Sequence, residues 1–534
     1  MHLKVAIHNR AYTSWEFTQD DVKVDIPHLI PSKHKLLHDD LVLFKGDTVV
    51  VVESPFRDAI LPGVLILGKT YGRLGKRLLY KCIPDNKSLP VFLVPYTVDA
   101  TFSKVVKNKY IVFRFVDWLS DHPHGEIKDT LGDVDSLEAF NEYQLYRRGL
   151  HLSLTPFVKA SRSILRDEDP VQKILDKTNF GIDDLRTIKN VFTIDPADCT
   201  DFDDAFSTSE ENGVATINVY IANVFVWLET YGLWEHMTER VSTIYLPDKK
   251  RPMLPPLLSD DLCSLKQGAD RFTFMMSVKY DMQTLAQIGE PVFKNALIHV
   301  SKNYTYEDKK LEKNPAYKVL RTLAKTEDSH DVVAFWMIKM NVLAAEHLRS
   351  KGKGIFRTSD GENILEKPMF KGGGLGELVL PSVYSEVCAP HSQLGVDAYV
   401  HITSPIRRLV DILNQILFQP EVSVLGQTFL DKWTRQLDLV NRATKDIRKT
   451  QMDCELLALA EKNEFLDKEF SGILFDRNFV SGKYEYAVYI EEFKMFSRIK
   501  LDECVENFTK SQFRIFVFDD EDRLCRKIRL QKIC

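Results

Sequence analysis

The sequence predicts a multidomain protein with a mixed α/β body flanked by β-rich units, and three observations carry that prediction. Its 534 residues exceed what one hydrophobic core organises. Short β-prone runs bounded by turn residues fill the first 145 positions, and the same texture returns from position 469 onward. Between them helical and strand patterns alternate. We therefore expect units at 1–70 and 71–145, a body at 146–468 and a last unit at 469–534.

In the first block the runs are LVLFKGDTVVVV (41–52), AILPGVLIL (59–67), LPVFLVPY (89–96) and KYIVFRFVDW (109–118). Each is rich in Val, Ile, Phe or Tyr, which suits two small OB-like barrels. A packing platform without ligand accounts for these runs as well as an RNA-binding surface does. In the body, VFTID (191–195) and VATINVYIANV (214–224) read as strands, while 331–352, ending at Gly352, and 430–465 read as helices. The last block holds SGILFDRNFVSGKYEYAVYI, FSRIKL and FRIFVFDD, a third OB-like unit in which Tyr484, Tyr486 and Tyr489 lie among basic residues as stacking surfaces for bases. Aromatics in strands more often serve a core.

Composition narrows the function classes. With 44% hydrophobic and 28% charged residues the chain reads as a folded globular protein. No run approaches a membrane span and the opening residues lack the apolar core of a secretory signal, so an intracellular protein without a membrane partner is expected. Eight scattered cysteines without a C-x-x-C pair read as reduced thiols. A net charge of −5 speaks against wrapping nucleic acid by overall charge but leaves room for a local basic channel.

The most informative stretch is TIDPADCTDFDDAFS (193–207), where Asp195, Asp198, Asp201, Asp203 and Asp204 fall within ten positions after an apolar strand. So many carboxylates stay ionised together only with a compensating cation. Oxygen donors without His favour a hard ion, Mg²⁺ with Mn²⁺ as substitute. A solvated acidic turn is the commoner fate of such a segment, but Ile194, Phe202, Ala205 and Phe206 anchor this one in a core. An EF-hand fails, since Thr200 and Phe206 stand where that loop needs Gly and Glu. Carboxylates holding Mg²⁺ point to phosphodiester hydrolysis, with RNA, DNA or a small ester as substrate still open.

A second constellation lies in AYVHITSPIRRLVDILNQIL (398–417). Pro405 suits the first turn of a helix, placing Ser404, Arg407 and Arg408 near an N-terminus where a phosphate can be gripped. On this segment alone, surface salt bridges explain two arginines better than a phosphate does.

Together the two segments resemble the ribonuclease II and ribonuclease R family, which includes the eukaryotic exosome nuclease: I-D-x5-D-x-D-D-A matches Ile194 to Ala205, and T-S-P-I-R-R matches Thr403 to Arg408. Residues 122–135, 242–265 and 384–401 also resemble family segments. The resemblance implies a central RNB-type α/β catalytic domain, two N-terminal cold-shock (OB) β-barrels and a C-terminal OB β-barrel. It implies processive, Mg²⁺-dependent hydrolysis of single-stranded RNA from the 3′ end to nucleoside 5′-monophosphates. Neither DNA nor a membrane is an expected partner, and a monomer is expected. The exosome nuclease's extra endonuclease domain has no room here, so cutting would be exonucleolytic. By position, Asp195, Asp201 and Asp204 would be metal ligands, Asp203 would place the terminal nucleotide and the metal, and Arg407 would contact the scissile phosphate. Tyr245 would stack on the last base, Phe356 would be the opposite jaw or, equally, a buried core residue, and Ser404 and Arg408 would contact RNA. The family's H-I-A-D-V-S-H reads Tyr220 to Val226 here, with Asn223 for its acid; Leu409 replaces a Tyr and Gln415 a His. The alternatives are a catalytically inactive RNA-binding relative and a general metal-dependent phosphoesterase.

Overall fold

The computed structural model describes residues 1–45, 48–98, 107–177, 180–359, 382–462, 468–490, 492–493, 495–520 and 524–533. Gly46 and Asp47 of the first β-run, the 463–465 end of the last expected helix, and Cys534 lie outside the described residues.

A seven-stranded sheet forms the centre, in the order Ile182–Asp184, Gln287–His299, Asp270–Asp281, Val214–Ala222, Asp204–Glu211, Phe192–Asp195, Lys302–Thr305. Its outer pairs are parallel and the rest antiparallel. Along Val214–Ala222 side chains alternate between two cores, as the two-residue period of a strand requires. Ala215, Ile217, Val219 and Ile221 meet helices Pro315–Ala324 and Ser329–Ser350 on one face. Tyr220 and Ala222 join the larger core on the other, with helices Val224–Thr230, Leu409–Phe418, Val424–Thr434 and Leu437–Glu461. The sheet is thus covered on both faces, and the acids at its strand ends meet protein rather than bulk water.

The strands expected at 191–195 and 214–224 form as Phe192–Asp195 and Val214–Ala222. The helix expected over 331–352 runs Ser329–Ser350, started by Asp328 accepting from His330 and Asp331 amides, with Gly352 just past its end at φ +66°. The helix expected over 430–465 is two, Val424–Thr434 and Leu437–Glu461.

Three five-stranded units surround this body. Counted within each unit, all three share the order 3-2-1-4-5; among the described residues only the second, Leu61 to Asp133, also pairs its third and fifth strands and closes into a barrel. Two boundaries move from the expected positions. The one at 70 falls inside Leu61–Leu74, a 14-residue strand that continues through register shifts after Ile66 and Thr70. The one at 145 cuts helix Leu137–Arg147, whose Phe140 and Tyr143 belong to the main core. In the last unit Tyr486 and Tyr489 are buried, Tyr486 exchanging hydrogen bonds with the Val505 backbone, so for these two the commoner reading of strand aromatics holds: their rings fill cores. The six described free cysteines form no disulfide, and no helix among the described residues is long and apolar enough to cross a membrane.

Candidate active site

The site begins with a hairpin of the central sheet. Strand Phe192–Asp195 ends on one acid, strand Asp204–Glu211 starts on another, and the two pair through Phe192 and Phe206, so the connecting loop carries its acids at one end of the sheet. Ser264 stitches that loop down, its hydroxyl accepting from Phe202 N at 3.1 Å and donating to Thr200 O at 2.9 Å.

The second constellation arrives from 203 residues further along the chain: Ile406 N donates to Asp203 Oδ1 at 3.1 Å, and Arg407 Nε lies 3.2 Å from Asp203 Oδ2. This turn is pinned from several elements. Ile402 N donates to Asn341 Oδ1 of the long helix, Thr243 N and Ser242 Oγ both donate to Arg407 O, and Leu409 N donates to Val241 O. Helix formation from Pro405 is therefore corrected: residues 405–407 turn, Arg408 is extended, and the helix starts at Leu409.

Burial sets the electrostatics. Asp203 is 3% exposed, and desolvation pushes its carboxyl up to about 7 even though Arg407 and the Ile406 amide oppose the rise. Desolvation likewise moves Asp195 to about 6, and Asp204 is raised well above the carboxylate range by burial and by its neighbours Asp195 and Asp203. Each of the three presents a buried oxygen, Oδ2, without a hydrogen bond; that of Asp203 faces Arg407 at ion-pair distance only. Among the described residues no three His, Cys, Asp or Glu side chains are closed into a metal-binding group. The donor chemistry still fits a hard divalent ion, because unsatisfied buried carboxylate oxygens are what such an ion binds.

Other expected residues separate into those at the site and those away from it. Tyr245 is at the site, donating to Asp201 Oδ2 at 3.0 Å; burial, the largest cause, raises its phenol above the usual range. Asp198 is exposed at the loop's outer side. Ser404 is buried, its amide donating to Asp411 and its hydroxyl accepting from Arg407 at 3.4 Å. Arg408 is corrected from an RNA contact to a structural ion pair: its guanidinium donates at 2.9 and 2.8 Å to the two oxygens of fully buried Asp411. Phe356 is corrected too. At 2% exposure it packs in the helix-side core and pairs with Ser385, so it offers no face to a base.

The positions that depart from the family pattern serve packing. Asn223 caps helix Val224–Thr230 and donates to Asn295, Gln415 donates to Ala222 O, and Leu409 is core. Sequence reasoning missed Lys250, which donates to Asp201 Oδ1 at 3.0 Å, to Asp260 Oδ1 at 2.9 Å and to Thr200 Oγ1 at 2.6 Å. Its only signal was its place five residues after Tyr245 in a segment already noted.

An acid hairpin and an arginine turn are joined through Asp203 at one end of the central sheet. The RNB domain matches this chain at residues 182–316 and 375–421. Human exosome complex exonuclease RRP44 is 33% identical over 270 residues, covering 50% of this chain and 26% of that protein. Chlamydia pneumoniae ribonuclease R is 27% identical over 334 residues, covering 47% and 49%. The chain thus spans less than half the length of these curated relatives. In fold it is similar to Mycoplasma genitalium RNase R in complex with ribose methylated single-stranded RNA, with a TM-score of 0.65 at 17% identity over 100% of this chain and 96% of that one. It is also similar to yeast Ssd1, a pseudonuclease, with a TM-score of 0.54 at 14% identity over 96% and 81%. At those identities the likeness concerns the fold.

Proposed function

We propose that the chain is a processive 3′-to-5′ hydrolytic exoribonuclease that degrades single-stranded RNA to nucleoside 5′-monophosphates with Mg²⁺, Mn²⁺ serving as substitute. The observation that carries this reading is the meeting of Asp203 and Arg407 at 3.2 Å, which sets a guanidinium against the acid loop. The RNB domain, the exonuclease relatives and an RNA-bound fold neighbour support RNA as the substrate class.

Asp195 and Asp204, with their unsatisfied buried oxygens, would hold the ion together with Asp201, whose engaged oxygens retain lone pairs. When bound, the ion lowers the pKa of an attacking water and offsets charge on the leaving oxygen. Arg407, with 38% of its side chain exposed, would stabilise charge growing on the scissile phosphate. Asp203 orients that guanidinium while the Ile406 amide fixes its other oxygen. Tyr245 lies next to Asp201 and would place the terminal base.

The test uses 5′-labelled single-stranded RNA with Mg²⁺, beside DNA and a small phosphate ester, for the wild-type chain and Asp203→Asn. Shortening from the 3′ end on RNA alone is expected, lost in the variant while RNA binding is kept. Equal attack on the small ester would overturn the reading. A second reading, an RNA-binding relative without catalysis, is favoured by Lys250, whose ammonium already sits on Asp201; bound but uncut RNA would select it.

A further inference from the structure

The hairpin of Ile244–Tyr245 and Lys250–Arg251 grips Asp201 from both sides. Tyr245 and Lys250 are cross-strand partners, and they take the two carboxylate oxygens separately, Tyr245 Oη on Oδ2 and Lys250 Nζ on Oδ1, each at 3.0 Å. The remaining ammonium protons go to Asp260 and Thr200, so all three donors of Lys250 are spent within the site. Ser259 in turn donates to Asp260 Oδ1 at 2.9 Å. Asp201 has 11% of its side chain exposed and Lys250 27%, so water screens their interaction less than it screens a surface pair.

We propose that Lys250 is a built-in counter-ion of the acid loop, which stabilises the loop before a divalent ion arrives and weakens that ion's binding. The proposal rests on the reading of the loop as a metal site. Its physics is Coulombic: one positive charge beside a loop carboxylate attracts the acids and repels an incoming cation. Asp260 tempers the effect by neutralising part of the ammonium's charge. The same hairpin carries Tyr245, so the counter-ion and the residue proposed to place the terminal base are cross-strand neighbours.

The test is Mn²⁺ binding to the full chain without RNA, read from the electron paramagnetic resonance of free Mn²⁺ at pH 8. Lys250→Gln should bind about threefold to tenfold more tightly than wild type, and Lys250→Arg should stay within about twofold of it. The metal-free unfolding midpoint of Lys250→Gln should fall, and added Mg²⁺ should raise it by more than in wild type. Asp260→Asn, which leaves the ammonium unbalanced and changes a residue at the surface of the site, should bind about twofold to threefold more weakly. Unchanged or weaker binding by folded Lys250→Gln overturns the proposal, and so does tighter binding by Asp260→Asn if the Lys250 variant does not fold. Mn²⁺ binding by wild type with no change in the variants removes only Lys250's role, whereas no binding by wild type removes the metal reading along with it.

Discussion

Asp203 sits where burial and an arginine pull in opposite directions, and burial prevails. Its carboxyl rises from 3.8 to about 7 and that of Asp195 to about 6, both chiefly by desolvation. The sign for stability follows from linkage: between those values the metal-free folded chain keeps protons that the unfolded chain sheds. The contribution of these groups is therefore whole below about pH 4 and lost as pH climbs through 6 and 7. Without metal, the unfolding midpoint should fall from pH 5 to 7.5, and Asp203→Asn should flatten part of that fall; an equal slope in both chains would contradict it. Metal affinity runs the other way, rising about tenfold per pH unit for each proton released over the same interval, as Mn²⁺ titrations at several pH values would show. Arg407 carries a separate expectation. Arg407→Ala should lower turnover of single-stranded RNA by ~10² or more, because a transition-state contact is lost. A variant with normal turnover would remove Arg407 from the chemistry.

At the scale of elements, the arginine turn depends on a residue that belongs to neither motif. Asp411, buried within the first turn of helix Leu409–Phe418, takes both donors of Arg408 and the amide of Ser404. Breaking a buried pair by removing one partner costs about 3–5 kcal/mol, so Asp411→Ala should lower the unfolding free energy measured in denaturant by that amount. It should also reduce turnover, since Ser404 and Arg407 share the turn that Asp411 ties down. Stability lost with turnover intact would mean that the turn holds Arg407 without help. The two motifs were legible because each lies within a short window of sequence: five acids in one loop, and Thr403 to Arg408 in one turn. Their meeting through Asp203 was implied only by resemblance, since nothing in the spacing of residues 203 and 407 predicts it. The role of Lys250 was not legible, because its relation to Asp201 exists only once the hairpin folds. Phe356 stayed open between jaw and core because a phenylalanine in a strand looks the same whether it faces a core or a channel.

Across the whole molecule the β-rich and α/β textures were visible in the sequence, while the joints between units were not. Strand propensity does not reveal that Leu61–Leu74 runs on through its irregularities, and helix Leu137–Arg147 carries Tyr143, Gln144 and Asn141 on buried surface, which hides its apolar face. Those joints bind the chain to itself. Tyr110 of the barrel stacks on Tyr143 at 4.3 Å and its hydroxyl accepts from Arg526 N of the last unit at 3.3 Å. Helix Leu437–Glu461 spans two cores, with Val440, Ile447, Cys454 and Leu457 in the main one and Leu456 and Ala460 in that of the last unit. Arg148, at the end of the helix that leaves the barrel, fastens to this long helix through Asp453 and Thr450 and to Gln144 on its own helix. Its side chain is 9% exposed, so Arg148→Met leaves Asp453 without its partner at a partly buried surface. The barrel should then loosen from the body: limited proteolysis should cut faster around 148–154, and the unfolding midpoint should drop. Hydrolysis of the shortest RNA that the site accepts should survive, because Arg148 contacts neither the acid loop nor the arginine turn. Unchanged proteolysis would show that the stacked tyrosines hold the barrel in place without Arg148.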